Sequence, residues 1–177
     1  MQGKRMKRFL MPDVGFQTYL DLTADHLLSI GIKGLILDVD NTLAPYEQEK
    51  PDAALDGWLT SLKEAGIAVS IASNNRGGRI RKFTENLTLP VICKAKKPLP
   101  FSFKKAMKQM GTEPKQTAAI GDQLFTDVLA ARLAGLKCVF VVPPIKDKTD
   151  PFTRFKRLCE RPAMRRFKKK GNLYDFK

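Results

Sequence analysis

The chain has 177 residues, 43% of them hydrophobic, and a formal net charge of +14 from 32 basic and 18 acidic side chains. That length suits one domain with a proper core, and no run reaches the ~18 apolar residues that a membrane span needs. A single histidine, His26, and three scattered cysteines, Cys93, Cys138 and Cys159, argue against a histidine-rich metal site and a Ser-His or Cys-His nucleophile; without a CxxC pair they point to a reducing, cytoplasmic compartment.

Residues 1–15 form a basic arm in which Phe9-Leu10-Met11 runs at once into Pro12 and Asp13, so no signal-peptide apolar region is expected. Phe16–Ile30 is amphipathic, with His26 on its surface. Gly34–Leu37 is a short, branched, apolar run that reads as a buried strand, and it ends in Asp38-Val39-Asp40-Asn41-Thr42. Side chains at i and i+2 of an extended segment share a side, so Asp38 and Asp40 are expected to converge above the carboxyl end of that strand. Like charges that close need a cation or a shared proton, and the pattern points to metal-assisted chemistry.

A helix over Asp52–Ala65 follows, opened by Lys50-Pro51-Asp52 and closed by Gly66, with Leu55, Trp58, Leu59 and Leu62 as its core stripe. Next come a strand at Ala68–Ala72 ending in Ser73-Asn74-Asn75, a helix at Arg79–Leu87, and a strand at Val91–Cys93 ending in Lys94-Ala95-Lys96-Lys97-Pro98. After them come a helix at Phe101–Met110, a strand at Ala118–Ile120 ending in Gly121-Asp122, a helix at Leu124–Ala134 carrying Asp127, and a strand at Cys138–Val142. Gly111 and Gly135 stand just past two of the helices. Strands alternating with helices predict an α/β fold, a parallel sheet covered on both faces in three layers. All the strand ends then share one edge. Carboxylates, a hydroxyl and one of Lys94, Lys96 and Lys97 would surround a single crevice. The expected organisation is one domain over 1–177, with its core at about 16–145 and a basic tail at 146–177.

These residues resemble the haloacid dehalogenase-like (HAD) superfamily of phosphotransferases: Asp38-x-Asp40-x-Thr42, Ser73, Lys97, and Gly121-Asp122 with Asp127 match its four motifs in order. Lys33–Leu43, Ala95–Phe103 and Ile120–Val128 are similar to the YqeG-type branch of its subclass IIIA, related to mitochondrial phosphatidylglycerophosphatases. The resemblance implies a Rossmann-like HAD fold and a phosphomonoester hydrolase with Asp38 as nucleophile and Asp40 as general acid and base. It implies Mg2+ held by Asp38, the Asp40 backbone carbonyl and Asp122, with Ser73, Asn74 and Lys97 binding phosphate. Thr42 would support the site, and Asp127 would orient Lys97 or a metal-bound water. The implied substrate is phosphatidylglycerophosphate, in phosphatidylglycerol synthesis. A phosphatase for soluble or nucleic-acid-linked esters and a non-enzymatic RNA- or ribosome-binding factor are the rivals.

Only Leu43–Lys50 separates Thr42 from the next helix, and residues 74–96 hold one helix and one strand, so neither usual insertion point has room for a cap domain. An open site favours a macromolecular or surface-embedded phosphate. Residues 16–75 are net −6, 76–118 net +9 and 146–177 net +8, a spread that suits an anionic partner. In the tail, Phe152, Phe155 and Leu158/Cys159 fall at helical spacing among Arg154, Lys156, Arg157 and Arg161, with Pro162 expected to interrupt the helix. Such a helix, with the Lys4–Leu10 arm, suits the anionic inner face of a membrane, where each charge contributes ~1 kcal/mol. Docking of Phe152 and Phe155 on the domain, or contact with a nucleic-acid backbone, are the other readings.

Overall fold

The structure, a computed structural model, describes residues 10–141 and 151–169. Its strands are β1 (Val14–Gly15), β2 (Gly34–Leu37), β3 (Ala68–Ala72), β4 (Val91–Ile92), β5 (Thr117–Gly121) and β6 (Cys138–Val141). They form a fully parallel sheet in the order β1-β6-β5-β2-β3-β4. The helices are α1 (Ala24–Ser29), α2 (Ala53–Glu64), α3 (Gly78–Phe83), α4 (Phe101–Met110), α5 (Leu129–Ala134) and α6 (Pro151–Lys169).

Strand alternation divides the core into two layers. Leu35, Leu37, Ile71 and Ile120 pack with Leu27, Leu55, Trp58, Leu62, Ile80 and Phe83 from α1, α2 and α3. Ile36, Ala72 and Ala119 pack with Phe103, Ala106, Val128 and Ala131 on the opposite face. Parallel strands buried on both sides read as unbroken apolar runs, and β2 is buried at all four positions. The α/β expectation is met.

Cap chemistry accounts for several boundaries. The Asp52 carboxylate accepts from Leu55 N at 2.9 Å and opens α2. Gly111 and Gly135, at φ 68° and 78°, close α4 and α5 in the left-handed conformation that glycine takes without strain. The amphipathic Phe16–Ile30 segment folds as a 3-10 turn at Tyr19–Asp21 followed by the short α1, because Thr18 and Thr23 each cap a new helix start. Three expectations need correction. The Arg79–Leu87 helix ends at Phe83. Leu124–Ala134 begins as a π-helical turn over Leu124–Val128 before α5. Finally, α6 runs through Pro162 without interruption.

The basic arm at 1–9, Val142 and the side chains of Cys138 and Phe152 lie outside the described residues. Cys93 and Cys159 are free thiols, half-buried and exposed respectively. Among the described residues no helix is long and apolar enough to cross a membrane.

Trp58 joins α2 to the segment before α1. Its ring meets Tyr19 edge-on with centroids 5.0 Å apart, and its Nε1 donates to Leu22 O at 2.8 Å. Trp58→Phe keeps an aromatic ring but orphans that buried carbonyl. It is expected to lower unfolding stability by ~1–3 kcal/mol, measured by urea denaturation.

Candidate active site

The four motifs meet because of the strand order. Leu37 is in register with Ile120 on one side and Ile71 on the other, so Asp38, Asp122 and Ser73 leave neighbouring strands at nearly the same height. The Asp38 N–H still donates to Ile120 O at 3.1 Å, carrying the ladder one residue past β2. After β4 the chain folds back. Ala95 N donates to Ser73 O at 2.9 Å, and Lys97 N donates to Asn74 Oδ1 at 2.7 Å. That return delivers Lys97 to the mouth of β2.

Of the three candidate lysines, Lys94 and Lys96 are exposed while Lys97 is 7% exposed. Lys97 Nζ lies 2.6 Å from Asp38 Oδ1 and 2.6 Å from Asp127 Oδ1. Asp38, Asp122 and Asp127 are 8%, 8% and 2% exposed. Each offers an oxygen within 4.8 Å of the others. Burial pushes the Asp38 carboxyl up to about 7, with Lys97 pulling it down and the charges of Asp127 and Asp40 adding to the rise. Asp122 is held well above the usual carboxylate range by burial and by its like-charged neighbours. Burial disfavours the Lys97 ammonium, but Asp127 and Asp38 outweigh it and raise its pKa. Too little cation sits among these carboxylates. Three buried oxygen donors of this kind fit a hard divalent ion, and Asp38 and Asp122, both expected as ligands, are two of them.

Asp40 does not join this cluster through its carboxylate, contrary to the expected convergence with Asp38. The strand ends at Leu37, and Asn41 at φ 64° turns the chain into a tight loop closed by Asn41 N donating to Ala44 O at 2.8 Å. Asp40 Oδ1 instead takes Arg79 Nε at 2.7 Å and its Oδ2 takes Asn75 Nδ2 at 3.2 Å. Arg79 also donates to Gln48 O and Pro45 O and lies between the Tyr46 and Phe83 rings. One guanidinium therefore fixes both Asp40 and the loop after it. Arg79 carries no motif in the sequence, where it is one of four cations, Arg76, Arg79, Arg81 and Lys82, around the start of a helix.

Ser73 is buried at 1%, and its Oγ accepts from Asn75 N at 3.1 Å. Asn74, expected to bind phosphate, has both ends of its amide on the Lys97 backbone, donating to Lys97 O at 3.0 Å and accepting from Lys97 N. As placed, it clamps the Lys97 loop. Thr42 Oγ1 donates to Asp122 Oδ1 at 3.4 Å. Asp127 takes Lys97 Nζ on Oδ1 and accepts from Gln123 N at 3.1 Å on Oδ2. No cap domain lies at either insertion point among the described residues.

The site is nonetheless covered in part, because α6 packs against the π-helical turn. Glu160, buried at 4%, accepts from Phe125 N at 2.7 Å. Gln123 makes no side-chain cap at the start of that turn, so α6 supplies the cap from outside. Lys156 reaches Gln123 Oε1 at 3.1 Å, and Arg157 Nη2 reaches Asp122 Oδ2 at 2.6 Å. Phe167 is fully buried, whereas Phe155 is 62% exposed, which goes against the alternative in which Phe155 docks on the domain. The anchors are Glu160 and Phe167, and a reading based on hydrophobic spacing alone passes over a glutamate.

Gly121 is required by this packing. A Cβ there would stand 2.5 Å from both Cβ and Cγ of Asp127. Gly121→Ala is expected to push Asp127 off Lys97 and lower phosphate release ~100-fold, the usual scale for a misplacement of about 1 Å. Steady-state kinetics on a protein shown by circular dichroism to be folded would check it.

Comparison with known proteins gives the family. The sequence profile of the family described as mitochondrial PGP phosphatase matches residues 4–146. The chain is 36% identical over 168 residues to the probable phosphatase YqeG of Bacillus subtilis, covering 95% of this chain and 97% of that one. It is 31% identical over 142 residues to the mitochondrial phosphatidylglycerophosphatase GEP4 of Saccharomyces cerevisiae, covering 71% and 75%. The 3-deoxy-D-manno-octulosonate 8-phosphate phosphatase of Yersinia pestis shares the fold, with a TM-score of 0.51 at 18% identity over 73% of this chain and 72% of that one. The chain is a HAD-type phosphatase and belongs to the mitochondrial PGP phosphatase family.

Proposed function

We propose that the protein is a Mg2+-dependent phosphatidylglycerophosphate phosphatase working through an aspartyl-phosphate on Asp38. The observation that carries the chemistry is the Lys97 ammonium, 2.6 Å from both Asp38 and Asp127 at the edge of a buried three-carboxylate cluster. Lys97 favours the ionised form of Asp38, which a nucleophile requires. A carboxylate oxygen of Asp38 attacks phosphorus, the bond from phosphorus to the ester oxygen breaks, and Asp40 delivers a proton to that leaving oxygen. Arg79 holds Oδ1 of Asp40 at 2.7 Å, so Oδ2, with the longer 3.2 Å contact to Asn75, is the oxygen assigned to pass that proton. Asp40 then takes a proton from water as it attacks phosphorus, which returns the Asp38 carboxylate and releases inorganic phosphate. Lys97 and the Ser73 hydroxyl hold the phosphoryl oxygens, with Asn74 fixing the Lys97 loop and Thr42 steadying Asp122. When bound by Asp38, the Asp40 backbone carbonyl and Asp122, Mg2+ supplies further neutralisation of the transferring group.

The lipid substrate is supported by the family and by the yeast relative. It is supported as well by the outer face of α6, where Phe155 and Leu158 are 62% and 55% exposed among exposed Arg154, Arg161, Arg165 and Arg166. Apolar residues set among arginines suit the interface of an anionic bilayer, as expected of an enzyme held peripherally on the inner, cytoplasmic face of a membrane. The test is Mg2+-dependent phosphate release from phosphatidylglycerophosphate in anionic vesicles, beside soluble phosphate esters and phosphorylated nucleic-acid ends. Selective release from the lipid is expected, falling to the uncatalysed background in Asp38→Asn. Release only from the other substrates would discard the lipid; no release from a folded protein would move the reading to a binding factor.

A further inference from the structure

Arg157 belongs to none of the four motifs, yet it is bound to one of the carboxylates they bring together. Its Nη2 lies 2.6 Å from Asp122 Oδ2; the Asp122 side chain is 0% exposed and that of Arg157 14%. An ion pair so withdrawn from water is screened far less than a surface pair. The other Asp122 oxygen takes the Thr42 hydroxyl. Asp122 is also one of the three carboxylates that converge within 4.8 Å. An arginine keeps its charge at any working pH. A divalent ion arriving at Asp122 therefore meets a fixed positive charge on the same carboxylate. Either the guanidinium leaves Asp122, giving up a buried ion pair, or it stays and repels the ion. Both weaken cation binding.

We propose that Arg157 is a positioning residue that acts through Asp122 to set the divalent-cation affinity of the cluster at Asp38 and Asp122, so that seating of α6 and cation binding oppose each other. The proposal rests on reading that cluster as a cation site. Coupling of this kind is reciprocal: whatever Arg157 takes from the cation, the cation takes from the seating of α6. The helix is suited to carry such a signal. Its inner edge reaches Asp122 through Arg157 and the π-helical turn through Glu160, while Phe155 and Leu158 stand on its outer face. A surface that drew α6 outward would relieve Asp122.

The test is calorimetric titration of Mg2+ into the full-length wild type, Arg157→Gln and Arg154→Gln at fixed ionic strength. Arg154 is exposed on the same helix, so its variant controls for net charge. Arg157→Gln is expected to bind Mg2+ at least about fivefold tighter, the lower end of typical coupling between sites, and Arg154→Gln as the wild type does. Unchanged or weaker binding in Arg157→Gln, as a merely structural arginine would give, overturns the proposal. So does equal tightening in Arg154→Gln. Absence of Mg2+ binding in all three removes the cation site and the proposal together, whereas tightening in a protein without phosphatase activity keeps the proposal and removes the proposed reaction. A second measurement needs no substitution: amide hydrogen exchange across residues 151–169 of the wild type, with and without saturating Mg2+. Faster exchange with Mg2+ is expected, and equal or slower exchange contradicts the coupling.

Discussion

One ammonium group among three buried carboxylates sets the terms for the rest of this molecule. Lys97 sits 2.6 Å from Asp38 and 2.6 Å from Asp127, with Asp122 in the same cluster. Buried charges without partners are costly, and one lysine cannot neutralise three carboxylates. The fold answers locally. Thr42 and Arg157 engage Asp122, Gln123 N holds the free oxygen of Asp127, and burial raises the carboxyls of Asp38 and Asp122. What is left is a site still short of positive charge. A divalent ion suits that deficit.

The sheet makes this arrangement through register. Because β2 lies between β3 and β5, the first, second and fourth motifs come from adjacent strands, and only the third has to travel. It does so through the return of residues 93–97, tied to Ser73 and Asn74 by backbone and amide hydrogen bonds. Gly121 gives Asp127 the space to lie across the end of β5. Arg79 performs the matching task on the opposite side, holding Asp40 and the Pro45–Gln48 loop together. Position is thus fixed by backbone on one side of Asp38 and by a guanidinium on the other.

Most of the sheet was legible from short apolar runs and punctuating glycines, because buried parallel strands and left-handed caps leave strong local signals. The motif residues were legible because each follows its own strand. Contacts distant in sequence were not. Nothing near Asp40 announces that its carboxylate turns to Arg79, 39 residues away, rather than to Asp38. In α6, helical spacing left Phe155 either facing a membrane or docked on the domain, and it gave no sign that Glu160 holds the helix through a backbone N–H at the start of another turn. The expected break at Pro162 failed for a related reason: buried groups on both sides, Glu160 and Phe167, hold the helix across it.

The covalent role of Asp38 is open to direct observation. The enzyme would be mixed with substrate and Mg2+, quenched within one turnover and reduced with borohydride, which converts an aspartyl-phosphate to homoserine, then digested for peptide mass spectrometry. Homoserine at position 38, and at no other aspartate, is the result expected. A quenched enzyme that has turned over substrate but carries unaltered Asp38, or homoserine at Asp40 or Asp122 instead, would contradict the nucleophile assigned to this site.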